Sequence, residues 1–220
     1  MSDIFEEVDE ALRKEKLLKV WEEYKNTIIA SIAILIFSTA ATSGYKSWNT
    51  SRNETETAKL SQALESEQPI LALEEFVLDT RNNHKALAQL SLASLYLQGD
   101  EKEKAIAVYK DMVEKRGAPK YLRDQARILL TQHSEEKNLD VLKPILVNDK
   151  SPWVWHARIE AASILVAENN YEQALEYLAP FEDVTTIPLS LKLRGNALAH
   201  VYKIEHEQMK SNETEPAAGE

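Results

Sequence analysis

The segment LASLYLQGDEKEKAIAVY, Leu92 to Tyr109, contains two runs of apolar and small residues at helical spacing, separated by a short polar turn that holds Gly99. Small side chains at Ala93 and Ala105 would allow two helices to cross closely. The larger Tyr96 and Tyr109 follow each crossing residue by about one turn and would fill the layer beside it. The segment therefore predicts a helical hairpin.

The same spacing recurs along the chain, which predicts a repeat architecture. The first-helix crossing position recurs at steps of 33, 33, 36 and 33 residues, at Leu60, Ala93, Ala126, Ala162 and Gly195. The second-helix crossing position falls at Ala72, Ala105, Asn138 and Ala174. Four residues further on stand Phe76, Tyr109, Leu142 and Leu178. The unit ends fall at Ala86, Pro119, Pro152 and Pro188, where proline favours a helix break because it has no amide donor.

The Leu92–Tyr109 segment resembles a tetratricopeptide repeat and is one residue off that pattern only at Gly99. The expected fold is all-α, a tetratricopeptide-like helical repeat solenoid preceded by a single transmembrane helix. We expect helix pairs at about 53–86, 86–119, 119–152 and 152–188, and then one capping helix from Leu189 to about Glu205. The alternative is an irregular helical bundle.

Two positions depart from the repeat pattern. Asn138 replaces the small crossing residue of the third pair, which predicts a looser helix pair there, and Asn169 stands where glycine is usual. The segment PWVWHAR, residues 152–158, carries three extra residues. Its Trp153 and Trp155 are predicted either to widen the core of the fourth pair or to anchor a partner, because exposed tryptophan is a frequent binding hot spot.

The composition excludes several functional classes. The chain has 36 Asp and Glu against 26 Lys and Arg, a net charge of −10, which disfavours a nucleic-acid partner. It has no cysteine, so disulfides, iron–sulfur clusters and thiol catalysis are excluded. The glycines are far apart and the histidines show no metal-ligand spacing. We therefore expect no catalytic residue, no metal, no cofactor and no small-molecule substrate, and a protein that is not an enzyme.

The stretch TIIASIAILIFSTAATSGY, Thr27 to Tyr45, contains no residue that is charged at pH 7. As a helix it is about 28 Å long, close to the hydrocarbon thickness of a bilayer. Aromatic residues typical of the membrane interface flank it, with Trp21 and Tyr24 before it and Tyr45 and Trp48 around its end. We expect an uncleaved transmembrane helix; the alternatives are a cleavable export signal and a buried helix of a soluble domain.

Lysine and arginine near the ends of this stretch predict its orientation. Residues 12–26 hold five of them and residues 46–60 hold three. The expected organisation is a cytoplasmic amphipathic segment (1–26), the span (27–45), an exported repeat domain (46–204) and a disordered acidic tail (205–220).

This order of parts resembles the YfgM-like family of ancillary subunits of the bacterial SecYEG translocon, from MSDIFEEVDEALRKEKLLKVWEEY (Met1–Tyr24) to LKLRGNALA (Leu191–Ala199). The resemblance implies a single-pass inner-membrane protein with a periplasmic domain. It implies association with SecYEG and with a PpiD-like periplasmic chaperone of the prolyl-isomerase type, and binding of exported clients. The spacing of the residues alone predicts a tethered binding module. Two alternatives are a scaffold for cell-envelope synthesis or division, and an enzyme.

The partner-binding groove is expected on the concave side, which first helices would line. Counting from the crossing positions, the second pair contributes an apolar strip, the third a basic centre, and the fourth pair and the cap mostly polar groups. The predicted groove residues are Leu87, Leu90, Ser94, Leu97, Lys120, Arg123, Arg127, His156, Ile159, Ser163, Lys192 and Asn196. Lysine and arginine placed there would meet carboxylates or the C-terminus of a partner. The alternative is that Arg123 and Arg127 only pair with acidic neighbours of the same chain.

Overall fold

The computed structural model describes residues 3–115 and 117–214, and this part of the chain contains helices and no strand. The fold class is therefore all-α, as the sequence predicts. The chain divides into two compact units, residues 1–57 and 58–220, which are described separately. The second unit begins at residue 58, within α1 (Asp3–Leu64), whereas the sequence predicts that the repeat domain begins at residue 46.

The first unit contains most of α1, which is long and apolar enough to cross a membrane. The large apolar side chains from Ile29 to Phe37 are exposed, including Ile34 and Phe37. Hydroxyl groups in the stretch donate to carbonyl oxygens of the preceding turn, as Ser31 Oγ does to Thr27 O (2.8 Å) and Thr39 Oγ1 to Leu35 O (2.8 Å). These bonds lower the cost of placing hydroxyls in lipid. The side chains of the predicted amphipathic face in residues 1–13 lie outside the described residues.

The second unit consists of the end of α1, residues 58–64, and the helices that follow it. They are α2 (Pro69–Asp79), α3 (Asn82–Gln98), α4 (Lys102–Glu114), α5 (Lys120–His133), α6 (Lys143–Leu146), α7 (Val154–Ala167), α8 (Tyr171–Leu178) and α9 (Leu189–Thr214). Two 3-10 turns, Leu139–Val141 and Ala179–Phe181, complete it. Consecutive helices from α2 to α5 pack on one another, as do α7, α8 and α9.

The turns after α3 and after α7 have the same geometry, 69 residues apart in sequence. Each has one residue in the left-handed region, Asp100 (φ 61°) and Asn169 (φ 60°). In each, the next amide donates to a carbonyl five residues back, Glu101 to Tyr96 (2.8 Å) and Asn170 to Leu165 (2.8 Å). This is the Schellman arrangement, which satisfies the last carbonyls of a helix. Asn169 thus performs the role predicted for a glycine, since asparagine tolerates this conformation.

The small residues at the predicted crossing positions are buried where helices cross, except Ala72 in α2, which is half-buried. Ala93, Ala126 and Ala162 of α3, α5 and α7 have no exposed surface, and neither have Ala105 and Ala174 of α4 and α8. The closest approach is at Gly195 in α9, where an added Cβ would lie 2.3 Å from Cδ1 of the buried Phe181. Glycine is therefore required at this crossing, since any side chain would overlap the Phe181 ring.

The helix breaks follow the prolines of the sequence. α5 begins directly after Pro119, and α9 begins directly after Pro188. The predicted break at Ala86 is wrong: α3 begins at Asn82, and Ala86 is buried in its second turn. Alanine has a backbone amide and high helix propensity, so nothing at this position ends a helix.

The third pair departs furthest from a regular hairpin, as the polar Asn138 predicts. α5 is followed by the 3-10 turn Leu139–Val141 and by the single-turn α6. Asn138 is exposed, and its side-chain oxygen accepts a hydrogen bond from the Asp140 amide at 2.8 Å. Leu142 nevertheless remains fully buried, so the apolar anchor is retained although the second helix is not.

The predicted disordered tail begins too early. α9 continues to Thr214, and its last turns contact α8. The rings of His206 and Tyr171 stack with centroids 5.5 Å apart, and Lys210 Nζ lies 3.4 Å from Glu172 Oε1. These contacts hold residues 205–214 as helix, which the polar composition of the segment does not predict. The rest of the predicted tail, residues 215–220, lies outside the described residues.

Candidate binding surface

The predicted groove residues lie on four helices that pack side by side. α3 contacts α5, α5 contacts α7, and α7 contacts α9. Each of these four helices is the first helix of a predicted pair or the predicted cap. The fold therefore brings together the helices that carry the apolar strip, the basic centre and the polar groups. The individual side chains differ in how accessible they are.

The basic centre on α5 also contains a carboxylate, Asp124, whose charge partly cancels that of the basic residues. Asp124 is 2% exposed, and its Oδ2 accepts hydrogen bonds from Lys120 Nζ (3.0 Å) and Ser151 Oγ (3.3 Å). Arg127 NH1 lies 3.8 Å from Asp124 Oδ1. A buried carboxylate without cationic partners would be costly, so Lys120 and Arg127 stabilise Asp124 as much as they offer charge to a partner. The predicted alternative, pairing within the chain, therefore applies to these two residues.

Arg123 differs from its two basic neighbours. It is half-buried and, among the described residues, makes no ion pair. Burial lowers the pKa of the Arg127 guanidinium, and the nearby positive charge of Arg123 lowers this pKa further. The negative charge of Asp124 opposes both effects. The three basic groups and one carboxylate leave a net positive charge at this point of α5. An arriving carboxylate would meet Arg123 as a donor that no residue of the described chain neutralises.

The apolar strip on α3 is narrower than predicted. Leu87 is 42% exposed and Ser94 is exposed, whereas Leu90 and Leu97 are partly buried against the core that α3 forms with its neighbours. The strip can therefore offer the Leu87 side chain and the edges of Leu90 and Leu97 to a partner. Its accessible centre is at the beginning of α3.

Ile159 is wrong as a groove residue. It is 3% exposed and belongs to the core cluster around Phe181. The reason is the position of α7, which contacts α5, α6, α8 and α9 and is therefore buried on most sides. The groove residues are predicted by counting 3.6 residues per turn from the crossing position, and this count takes no account of how many helices surround α7.

His156, one turn before Ile159, is half-buried, and its Nδ1 atom is enclosed without a hydrogen-bond partner among the described residues. Burial lowers the pKa of its imidazole, and the charge of Arg194 on α9 lowers the pKa further. The imidazole is therefore neutral at pH 7. It can accept or donate one hydrogen bond but contributes no positive charge to a groove.

The groove residues near α9 have internal partners. Ser163 Oγ bonds to Ile159 O (3.1 Å) and lies 3.2 Å from Tyr202 Oη, which connects α7 to α9. Lys192 Nζ donates to Val184 O (2.9 Å) in the preceding loop. Asn196 is half-buried. Ser163 and Lys192 thus hold α9 in place, and they are less available to a partner than the sequence predicts.

Trp155 packs in the core of the fourth pair, and Trp153 packs against a cluster that the third and fourth pairs share. The Trp155 ring meets Phe181 edge to face at 4.9 Å between centroids, and the Arg158 guanidinium lies 5.1 Å above the Trp155 ring. Trp153 packs against the cluster around Leu142, and its Nε1 is enclosed without a partner among the described residues. Both residues are half-buried, and their contacts fit a packing role better than the role of a partner anchor.

Asp124 is the residue of this surface that the sequence interpretation missed. Its spacing was visible, because it lies four residues after Lys120 and three before Arg127, the separations at which oppositely charged side chains meet on one helix. The chemistry that remains at the surface is the half-buried Arg123 on α5 and the exposed Leu87 on α3, a helix that contacts α5. Such a surface can bind a carboxylate next to an apolar side chain.

This chain matches no protein-family model, no curated protein and no solved structure.

Proposed function

We propose that this protein is a membrane-anchored protein-binding module whose second unit is a tetratricopeptide-like repeat solenoid. The observation that carries this proposal is the recurrence of buried alanine or glycine at Ala93, Ala126, Ala162 and Gly195 on first helices that pack in sequence order. The identical turns at Asp100 and Asn169 support the same register. A solenoid of helix pairs exposes a continuous surface of first helices, which suits an extended protein segment.

The span is proposed to hold the module at the bacterial inner membrane. α1 is long and apolar enough for this, and the excess of lysine and arginine in residues 12–26 favours a cytoplasmic N-terminus. The repeat unit then lies in the periplasm. The absence of cysteine is compatible with an oxidising compartment.

The proposed partners are the SecYEG translocon, a PpiD-like periplasmic chaperone and exported proteins as they emerge. The resemblance of the sequence to the YfgM-like family is the support for these partners. The surface chemistry is compatible with them, since Arg123 on α5 could bind a carboxylate of an extended segment, and Leu87, Leu90 and Leu97 on the neighbouring α3 could bind its apolar side chains.

Topology is tested by a phosphatase that is active only after export, fused after Lys203. We expect activity there and none for a cytoplasm-only reporter at the same point. An active cytoplasmic reporter would contradict the orientation. A mature N-terminus near Ala41 would contradict the anchor, since the apolar stretch would then be a cleaved signal.

Partner binding is tested by crosslinking in intact membranes, followed by identification of the attached proteins. The variant is K120S/R123S/R127S, and the matched control is K110S/K137S/K150S, which removes the same charge from exposed positions elsewhere. We expect the first variant to lose crosslinked partner, most visibly at low salt, and the control to retain it. Helicity and membrane insertion serve as folding controls, and R123S alone should account for most of the loss. Equal yields from variant, control and the single change Leu87→Asp would exclude this surface as the binding site.

A further inference from the structure

α9 has two apolar faces, and only one of them is covered. Leu191, Leu198 and Tyr202 pack against the core cluster around Phe181. On another face lie four exposed residues at helical spacing, with exposed fractions of 69%, 58%, 45% and 42%: Leu189, Leu193, Val201 and Ile204. We name these four residues the α9 stripe. The predicted capping helix therefore does not end the unit with a polar face.

The end of a helical array needs a polar outer face to stay soluble as a monomer. A contiguous apolar stripe at that place is typical of an interaction site. The exposed residues beside the middle of the stripe are basic or neutral polar, with Arg194, His200 and Lys203 along it, and the exposed carboxylate of Glu207 lies only beyond its last residue, Ile204. The stripe therefore suits an apolar face with acidic neighbours.

α2, at the beginning of the same unit, has such a face. Leu71 and Leu78 are 59% and 85% exposed and lie seven residues apart, so they share one side of the helix. Exposed carboxylates accompany them at Glu75 and Asp79 in α2 and at Glu67 just before it. We name Leu71, Leu78 and these carboxylates the α2 face.

We propose that the α9 stripe of one copy packs on the α2 face of a second copy of this chain, so that copies associate head to tail. Apolar side chains of both helices leave water on contact, and the basic residues beside the stripe meet the acidic residues of the α2 face. The alternative pairings of identical surfaces place like charges together, basic with basic at α9 and acidic with acidic at α2. The contact is therefore heterologous, with two different surfaces of the chain.

This association is weak in solution and favoured when copies share a membrane. One helix packed on another is at the low end of the size of specific interfaces, about 1,200 Å² or less. The net charge of −10 also makes two copies repel one another away from the complementary faces. Anchoring by α1 would raise the local concentration of copies and compensate for both effects.

The chain contains no cysteine, so introduced cysteines would be its only thiols. The experiment uses two differently tagged full-length copies in the same membrane, one with Leu78→Cys and one with Leu193→Cys, and a short bismaleimide crosslinker. We expect a covalent adduct of two chains when the variants are co-expressed, and none from either variant alone. Val147→Cys, at an exposed position on neither face, replaces each partner in turn as the control.

Three outcomes would overturn the proposal. A mixed yield no higher than that of the Val147→Cys control means that the two faces do not meet. An adduct from Leu193→Cys alone means that α9 pairs with itself. Protection of the Leu193→Cys thiol from a membrane-impermeant maleimide, without an adduct of two copies, means that a lipid surface or another protein covers the stripe.

An exchange of charges tests whether the basic residues beside the α9 stripe pair with the acidic residues of the α2 face, independently of the apolar contact between leucines. R194E/K203E on the Leu193→Cys copy should lower the mixed yield about fivefold, since each exposed pair contributes modestly. E75K/D79K on the Leu78→Cys copy should restore it. K110E/K150E, with the same change of charge at positions outside both faces, should leave the yield unchanged. A yield that R194E/K203E does not lower, or that E75K/D79K does not restore, would contradict the proposed pairing of charges.

Discussion

The fourth helix pair and the third occupy the same register, yet only the fourth has a full second helix. α7 is followed by α8, whose Ala174 is fully buried at the crossing. α5 is followed by a 3-10 turn and the single-turn α6, and the equivalent residue, Asn138, is exposed. Asparagine at a close crossing would bury a side-chain amide without partners. The backbone turns away instead, and the side-chain oxygen of Asn138 accepts a hydrogen bond from the Asp140 backbone amide.

The residues four positions later are buried in both pairs. Leu142 has no exposed surface and Leu178 has 1%. A helix crossing therefore depends on a small residue, while attachment of the segment to the core depends on the large apolar residue beyond it. The missing helix also leaves a cleft of about 500 Å³ between α4 and α5, lined by Ile106, Leu130 and Val141 among others.

The largest expected effect tests whether Leu142 and Leu178 contribute equally to the stability of the unit. Leu142→Ala and Leu178→Ala should each destabilise the unit by about 2–5 kcal/mol, because each leaves a cavity in a buried site. The measurement is thermal unfolding of the full chain in detergent micelles by far-UV circular dichroism. Leu78→Ala, at an exposed position, is the control. A small effect at Leu142 alone would show that the short α6 segment is only loosely attached.

The next effect tests the crossings themselves. Ala174→Leu and Ala105→Leu should each cost about 1–3 kcal/mol, because both side chains are fully buried where two helices meet. At the third pair, leucine and alanine at Asn138 should differ by less than about 0.5 kcal/mol, because an exposed position does not sense side-chain size. The same unfolding measurement compares the four variants. If Ala105→Leu and Ala174→Leu unfold like the parent, the assigned repeat register is wrong.

A smaller effect is expected at Asn138 and Asn170, the asparagines that precede the 3-10 turn after α5 and the helix α8. Asn138 accepts a hydrogen bond from the Asp140 amide at 2.8 Å, and Asn170 accepts one from the Gln173 amide at 3.3 Å. Alanine at either position should cost about 0.5–2 kcal/mol, with the larger loss at Asn138, where the bond is shorter. Serine should recover part of each loss. A larger loss at Asn170 would mean that the α8 cap matters more than its bond length indicates.

The smallest effect is a pH dependence in the fourth pair. The pKa of His156 is lowered by burial and by Arg194, so the unfolded chain takes up this proton at higher pH than the folded one. The contribution of His156 to stability is therefore complete above its ordinary pKa of 6.5 and is lost as the pH falls below it. His156→Gln should flatten the fall in melting temperature between pH 7 and about pH 5. His200→Gln, at an exposed position, should leave the fall in melting temperature as it is in the parent. If His156→Gln also leaves it unchanged, His156 is not the cause of the fall.

Much of the helix layout could be predicted from the sequence because its causes are local. Pro119 and Pro188 end or begin helices through their own missing amide and fixed backbone angle, whatever surrounds them. Asn138 likewise signals the irregular third pair by its own polarity. Where the local signal was absent, at Ala86, the predicted boundary was wrong.

The candidate surface was predictable to the level of the helix but not of the side chain. The register places the groove residues on α3, α5, α7 and α9, and these helices pack in that order. Ile159 is buried because α7 has neighbours on most sides, and Lys120 is paired because Asp124 lies on the same helix. The burial of Ile159 depends on helices that are distant in sequence. The pairing of Lys120 with Asp124 could have been predicted, because residues four positions apart are neighbours on a helix.

The sequence by itself determined the all-α class, the apolar stretch of α1, the small residues at the crossings and most of the helix breaks. Each of these follows from the propensity or periodicity of neighbouring residues. Only the tertiary structure decided that Phe181 leaves no room for a side chain at Gly195, that α9 continues to Thr214 against α8, and that the α9 stripe stays uncovered. Burial and exposure depend on which distant segments meet, and no local pattern encodes where a helix lacks a neighbour.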